Sequence, residues 1–224
     1  MGDGCIDARR EGNDRRGQIA VFDLDGTVYG GPSFRRYLLY GSRVLACRGM
    51  YGDAFRIVWR FLLSKCGCIS HRDMKYRNCV LLEGRLSEAD NRRFAMLLMS
   101  RVNDTVMELK YRFKREGCLT VLSTASPESY CRALAEILEF DVCHATPSAP
   151  ETETGYRENR GERKLEGIRR LEAETGMKLA AVVTDHYDDI PLLRENRDGS
   201  NYLVSPSEET IRRVVEALVA FRIL

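Results

Sequence analysis

The chain has 224 residues, 44% of them apolar and 30% charged. That is the composition of a globular protein with material for a sizeable core, and it excludes a disordered, collagen-like or disulfide-stapled chain. Thirty-five basic and 33 acidic side chains leave a net charge of +2, which excludes a globally basic nucleic-acid binder and predicts no nucleic-acid partner.

Residues 1–17 are polar and read as a loose tail, without the apolar run of a secretory leader. Ile19-Ala20-Val21-Phe22 is a short apolar run bounded by turn residues, the pattern of a buried parallel strand. Residues 33–64 read as two helices, opened by Pro32-Ser33 and parted at Gly49 to Gly52. A third helix is predicted over 73–82. A fourth opens at a capping box beginning at Ser87 and runs to about 99, and a fifth covers 104–116, closed by Gly117.

The period then changes. A strand is predicted at 119–122, and Ser126-Pro127 supplies an N-cap and first-turn proline for a helix through 138. A strand follows at 140–144, then a polar, turn-rich stretch over 146–160. A helix over 162–175 is closed by Gly176. Strands at 179–184 and 202–204 precede a last helix, capped by the 205–208 segment and running to about 221. Strands alternating with helices predict an α/β fold: a Rossmann-like parallel sheet sandwiched by helices. The helical block after the first strand predicts an all-helical cap over 31–104, inserted into a core domain formed by 18–30 and 105–224.

No run of about 18 uncharged apolar residues occurs, so no transmembrane segment is expected. Trp59, with Phe55, Leu62 and Leu63 at helical spacing, reads as core of the helical block rather than as a membrane anchor. The eight cysteines lie mostly in apolar runs, which predicts reduced thiols and a cytoplasmic location. Cys66-Gly67-Cys68 lacks a second pair, so zinc is not expected.

In a parallel sheet, ligands bind beyond the carboxyl ends of the strands. There the chain places Asp23 and Asp25, then Thr124-Ala125-Ser126, then Asp185 through Asp189, with Lys164 at a helix start. Gathered carboxylates repel and raise one another's pKa. A hard divalent cation with few protein ligands relieves this, which suits Mg²⁺. A hydroxyl from Thr124, helix-start N–H groups and the Lys164 charge suit the oxygens of a phosphoryl group.

These motifs resemble the haloacid dehalogenase superfamily of phosphohydrolases. Asp23-Leu24-Asp25-Gly26-Thr27 matches its first motif, Thr124 the second, Lys164 the third, and Asp185 with Asp189 the fourth, in order across about residues 18 to 206. The helical insertion resembles the small-cap subclass that includes phosphoserine phosphatases. The resemblance implies that Asp23 is the nucleophile forming an aspartyl-phosphate and Asp25 the general acid and base. It implies Mg²⁺ held by the Asp23 carboxylate, the Asp25 carbonyl and Asp185, with Asp189 orienting metal-bound water. Thr124, Ala125 and Lys164 then bind the phosphoryl group. An acid at position 25 sets the chain apart from the dehalogenases. His186 departs from the small residue usual there, and reads as a supporting or gating residue. His71 and His144 read as structural. Asp188 competes with Asp189, but the spacing from Asp185 favours Asp189.

Residues 35–78 hold ten basic residues and two acids. Among them Lys75 and Arg36 are candidates to reach the substrate's leaving group. The reading is therefore a Mg²⁺-dependent phosphatase acting on a small-molecule or lipid-linked phosphomonoester. Its alternatives are a phosphotransferase with the same chemistry, or a non-catalytic module binding a membrane surface or a partner.

Overall fold

The computed structural model describes residues 15–147 and 155–224. The first fourteen residues of the expected tail, Cys5 among them, lie outside the described residues. So do residues 148–154 of the expected turn-rich stretch.

Six parallel strands form one sheet in the order β3-β2-β1-β4-β5-β6. They are β1 (Gln18–Phe22), β2 (Leu119–Pro127), β3 (Val142–Thr146), β4 (Lys178–Thr184), β5 (Ser200–Leu203) and β6 (Arg222–Ile223). The described helices are α1 (Ser33–Cys47), α2 (Tyr51–Lys65), α3 (His71–Glu83), α4 (Glu88–Leu98), α5 (Asp104–Arg115), α6 (Glu128–Ile137), α7 (Glu162–Thr175), α8 (Ile190–Glu195) and α9 (Glu208–Glu216). This is the expected Rossmann-like α/β fold.

The strand order explains the apolar first strand. β1 is central, with β2 and β4 on either side, so side chains on both its faces are buried. Ala20 and Phe22 join one core with α5, α6 and the helices α1 to α4, while Ile19 and Val21 join the opposite core with α7, α8 and α9. The chain builds outward from β1 to β2 and β3 on one side, and to β4, β5 and β6 on the other. The ends of β1 and β4 therefore flank the switch point at which such sheets bind ligands.

Four helices, α1 to α4, fill the chain between β1 and the segment that leads into α5. Asp90 holds their geometry. Its carboxylate accepts from the Ser87 N–H at 2.8 Å, completing the capping box of α4, and both of its oxygens accept from Arg48 Nη2 at 2.8 Å. Arg48 follows α1, so one buried carboxylate ties two helices.

Several elements differ from the sequence expectation. β2 runs past residue 122 to Pro127, and α6 begins one residue later, with no side-chain cap. Ser126 is not the cap, because its hydroxyl donates to Asp25 instead. β3 begins two residues later than expected. α8 and β6, six and two residues long, are too short to show a period. The last helix stops at Glu216 because Leu218 takes a left-handed conformation, φ 57°, and the chain turns back to add β6 beside β5.

The expected core role of Trp59, Phe55 and Leu62 is also corrected. They are 50%, 64% and 49% exposed. α2 buries Ala54 and Ile57 on its other side, where it packs on α1, and a helix cannot turn both sides toward one neighbour.

Replacing Asp90 with Ala is expected to cost about 1–2 kcal/mol in urea unfolding, from the lost cap. Burial opposes ionisation of Asp90, but hydrogen bonds from Arg48 and Ser87 prevail and hold its carboxyl at about 2. The wild-type advantage is therefore present above the ordinary carboxyl value of 3.8 and is lost as pH falls from there toward 2.

Candidate active site

The ends of β1, β2 and β4 and the start of α7 converge on one cleft of about 500 Å³, walled on its far side by α1, α2 and α3. Asp23, the residue after β1, donates its N–H to the Val183 carbonyl at 2.9 Å, which extends the sheet register into the site. The Lys164 ammonium reaches in from the first turn of α7. It donates to Asp23 Oδ1 at 2.6 Å and to Asp189 Oδ2 at 2.8 Å. Lys164 and Asp189 are 4% and 3% exposed, so this ion triad is screened little by solvent.

Burial pushes the Asp23 carboxyl up to about 7 against the pull of Lys164, with Asp189 and Asp185 adding to the rise. Burial likewise raises Asp185 to about 6, although His186 opposes it. For Lys164, burial works against the charge, but Asp189 and Asp23 overcome it and hold the ammonium above its ordinary range. Thr184 donates its hydroxyl to Asp189 Oδ2 at 2.7 Å. Asp189 Oδ1 is buried and has no hydrogen-bond partner.

Asp25 is held differently. The Ser33 N–H, at the first residue of α1, donates to its Oδ1 at 2.7 Å, and the Ser126 hydroxyl donates to its Oδ2 at 2.8 Å. Pro32 at the N-cap has no side-chain acceptor to offer α1, so Asp25 serves as that cap from eight residues away. Ser33 Oγ also bonds Tyr130 at 2.7 Å and Ser126 at 3.1 Å. The orientation of the Asp25 carboxylate is thus set from α1, β2 and α6 together.

Gly26 lets Asp185 approach. Its φ is +83°, and a Cβ there would lie 2.0 Å from Asp185 Oδ2. Any side chain would displace that carboxylate from the turn after β1.

Of the residues expected in the site, the cleft gathers Asp23, Asp25, Thr124, Ala125, Lys164, Asp185, Asp189 and Lys75. Thr124 is buried and its hydroxyl accepts from the Ser126 N–H at 3.0 Å. Lys75, from α3, donates to the Ala125 carbonyl at 2.9 Å and to Glu158 Oε2 at 2.6 Å. It is a tie between the helical block and the sheet edge, not a free cation over the cleft.

Arg36 is not brought in. It is exposed, with its guanidinium 5.8 Å from the centre of the Tyr29 ring, because one residue's step along α1 turns it away while Arg35 faces the cleft. Asp188 also lines the cleft, but its carboxylate accepts from Arg160 at 2.7 Å and lies 2.8 Å from His186 Nδ1, whereas Asp189 is the carboxylate bound to Lys164. His186 lines the cleft beside Asp185 and stacks on Tyr187. His71, read as structural, also lines it. Sequence reading gave no site role to Ser33, Ser126 or Glu158. Of these only Ser126 carried a local signal, its place in the strand-end run with Thr124.

Among the described residues, no three His, Cys, Asp or Glu side chains form a ready-made metal cage. The donor set nonetheless fits a cation that needs few protein ligands. Asp23 and Asp185 are two half-buried carboxylates raised toward neutrality, and Asp189 Oδ1 is a buried oxygen without a donor.

The haloacid dehalogenase-like hydrolase profile matches residues 20–194. The chain belongs to that family. This haloacid dehalogenase-like hydrolase superposes on several solved structures. A protein of unknown function from Bordetella pertussis Tohama I superposes with a TM-score of 0.73 at 18% identity, covering 92% of this chain and 97% of that one. A phosphoserine phosphatase in apo form gives 0.58 at 13%, covering 93% of each chain. A phosphoserine phosphohydrolase-like protein from Francisella tularensis subsp. tularensis SCHU S4 gives 0.53 at 16%, covering 92% and 94%. At these identities the likeness is one of fold. No curated protein matches this hydrolase significantly in sequence.

Replacing Lys164 with Met leaves Asp23 and Asp189 buried without a counterion, and is expected to cost about 3–5 kcal/mol at pH 8 without added metal. A carboxyl raised above its unfolded value keeps its proton in the folded state, so stability is lost as pH rises through that raised value. The deficit in urea unfolding should therefore shrink between pH 8 and pH 5. A deficit independent of pH would assign the loss to packing alone.

Proposed function

We propose that the chain hydrolyses a phosphomonoester with Mg²⁺ through an aspartyl-phosphate on Asp23. The observation that carries the reading is the pair of unlike carboxylates at the end of β1. Asp23 is bound to the Lys164 ammonium, and Asp25 is fixed by two neutral donors. Two carboxylates held by unlike partners suit two roles, nucleophile and proton carrier.

In the first step an Asp23 oxygen attacks phosphorus, the ester bond breaks, and the departing oxygen takes the proton of the Asp25 carboxyl. In the second, water gives a proton to the Asp25 carboxylate and attacks the same phosphorus. The acyl-phosphate bond breaks, phosphate leaves, and both carboxyl groups return to their starting states. Lys164 and Thr124 balance the charge on the phosphoryl oxygens. Asp23, Asp185 and the carbonyl of Asp25 are the groups to hold Mg²⁺, with Asp189 supporting it. When bound, the cation supplies positive charge that keeps Asp23 ionised and neutralises the phosphoryl group.

We assign residues 31–104 the role of a substrate-selecting cap, held to the core by the Asp25–Ser33 and Lys75–Glu158 ties.

The test is hydrolysis of p-nitrophenyl phosphate with and without Mg²⁺. Activity should require the cation, fall to background in Asp23→Asn, and drop by about 10²–10⁴-fold in Asp25→Asn. Absence of Mg²⁺-dependent turnover in the wild type overturns the reading. Lys75→Met should lower kcat/KM by about tenfold or more by releasing one tie between cap and core. Unchanged kcat and KM would remove Lys75 from the site.

A further inference from the structure

The outer side of α2 is apolar and bare. Tyr51, Phe55, Val58, Trp59 and Leu62 are 41–71% exposed along it, and Leu39 of α1 beside them is 56% exposed. The Phe55 and Trp59 rings stack with their centres 5.9 Å apart. Among the described residues nothing covers this face, and a helix apolar on both its inner and outer sides is rare on a protein bathed only in water.

The charge around the face is one-sided. Residues 33–65 carry seven basic side chains and one acid. That acid, Asp53, is buried and bound by Arg56 and Arg85 at 2.7 and 2.9 Å. Arg43 lies in the shallow groove with Leu39, Phe55 and Val58, and Arg35 in the next with Leu39, Val58 and Phe61. Exposed aromatic and aliphatic side chains ringed by arginine suit an interface that is apolar below a layer of anions, which is the surface of an anionic bilayer. A protein partner with an apolar patch fits the aromatic residues but does not account for residues 33–65 carrying a single acid, already paired.

The face is continuous with the cleft. Arg35 and Phe61 line both the groove and the site, and Lys65, also at the cleft, lies 5.8 Å above the Phe61 ring.

We propose that the outer face of α1 and α2 docks the chain on an anionic lipid bilayer, so that the cleft opens at the headgroup layer and takes a phosphomonoester carried on a lipid. The docking stands on this surface alone. The lipid substrate rests also on the phosphatase reading above.

Trp59 is the single tryptophan of the chain, so its emission reports the face directly. The full chain is mixed with sucrose-loaded vesicles of phosphatidylcholine alone, or of phosphatidylcholine with 30% phosphatidylglycerol, and sedimented. The expected result is co-sedimentation with the anionic vesicles, weakened by salt, with a blue shift of Trp59 emission. The variant Phe55→Ser should bind at least about tenfold more weakly, while its hydrolysis of p-nitrophenyl phosphate stays that of the wild type, which also shows that it folds.

Failure of the wild type to bind anionic vesicles overturns the docking. So does Trp59 emission that is already blue-shifted and indifferent to vesicles in a chain that sediments as a dimer, since the face is then covered by a second copy. Vesicle binding without Mg²⁺-dependent hydrolysis of the aryl phosphate overturns the phosphatase reading and leaves the docking standing. Vesicle binding with aryl phosphate turnover, but no release of phosphate from phosphatidic acid or phosphatidylglycerophosphate in the same vesicles, overturns the lipid substrate.

Discussion

The Lys164 ammonium between Asp23 and Asp189 is the contact on which the rest of the site depends. Asp23, Asp185 and Asp189 stand together at the carboxyl edge of the sheet, and the desolvation of Asp23 and Asp185 and their repulsion by Asp189 oppose folding. One buried cation at 2.6 and 2.8 Å answers two of them. It answers only in part: Asp23 and Asp185 remain raised, and Asp189 Oδ1 remains without a donor. Residual negative charge in a preorganised cleft is what the proposed divalent cation, and through it a phosphoryl group, would answer. The imbalance that weakens the fold would then serve the proposed chemistry.

Asp25 joins that chemistry to the helical block. Its two oxygens accept from Ser33 at the head of α1 and from Ser126 at the end of β2. Movement of α1 therefore moves or releases the proposed proton carrier. The second tie, Lys75 to Glu158 and the Ala125 carbonyl, meets β2 one residue before Ser126. Two polar clamps would suit the proposed cap, because hydrogen-bonded pairs exchange with water at lower cost than a packed apolar seam.

Much of the site was legible because its chemistry is local. Asp23, Asp25 and Gly26 form one turn after one strand, Lys164 opens one helix, and Asp185 and Asp189 flank one short turn. Each is a residue type whose role follows from standing at a strand end or a helix start. What was not legible depends on distant segments meeting. Ser126 reads as a helix cap until Asp25, about a hundred residues earlier, competes for its hydroxyl. Arg36 and Arg35 are equivalent in sequence, and only the rotation of α1 about its axis selects Arg35 for the cleft. Glu158 sits beside segments outside the described residues and shows no pattern of its own.

The exposed face of α2 marks the same boundary. Hydrophobic spacing identified Phe55, Trp59 and Leu62 as one side of a helix, and core was the natural expectation for them. Spacing says that residues share a side, but not whether a neighbour covers it. The sequence by itself determined the α/β order, the apolar central strand, the turn that carries Asp23 and Asp25, and the excess of basic residues over 35–78. These follow from local periodicity and residue chemistry. Only the tertiary structure decided that Ser33 caps through Asp25, that Lys75 is tied down rather than free, that Arg36 faces away, and that Trp59 is bare. Each of those is a question of which surfaces meet, and that is set by the packing of elements far apart in the chain.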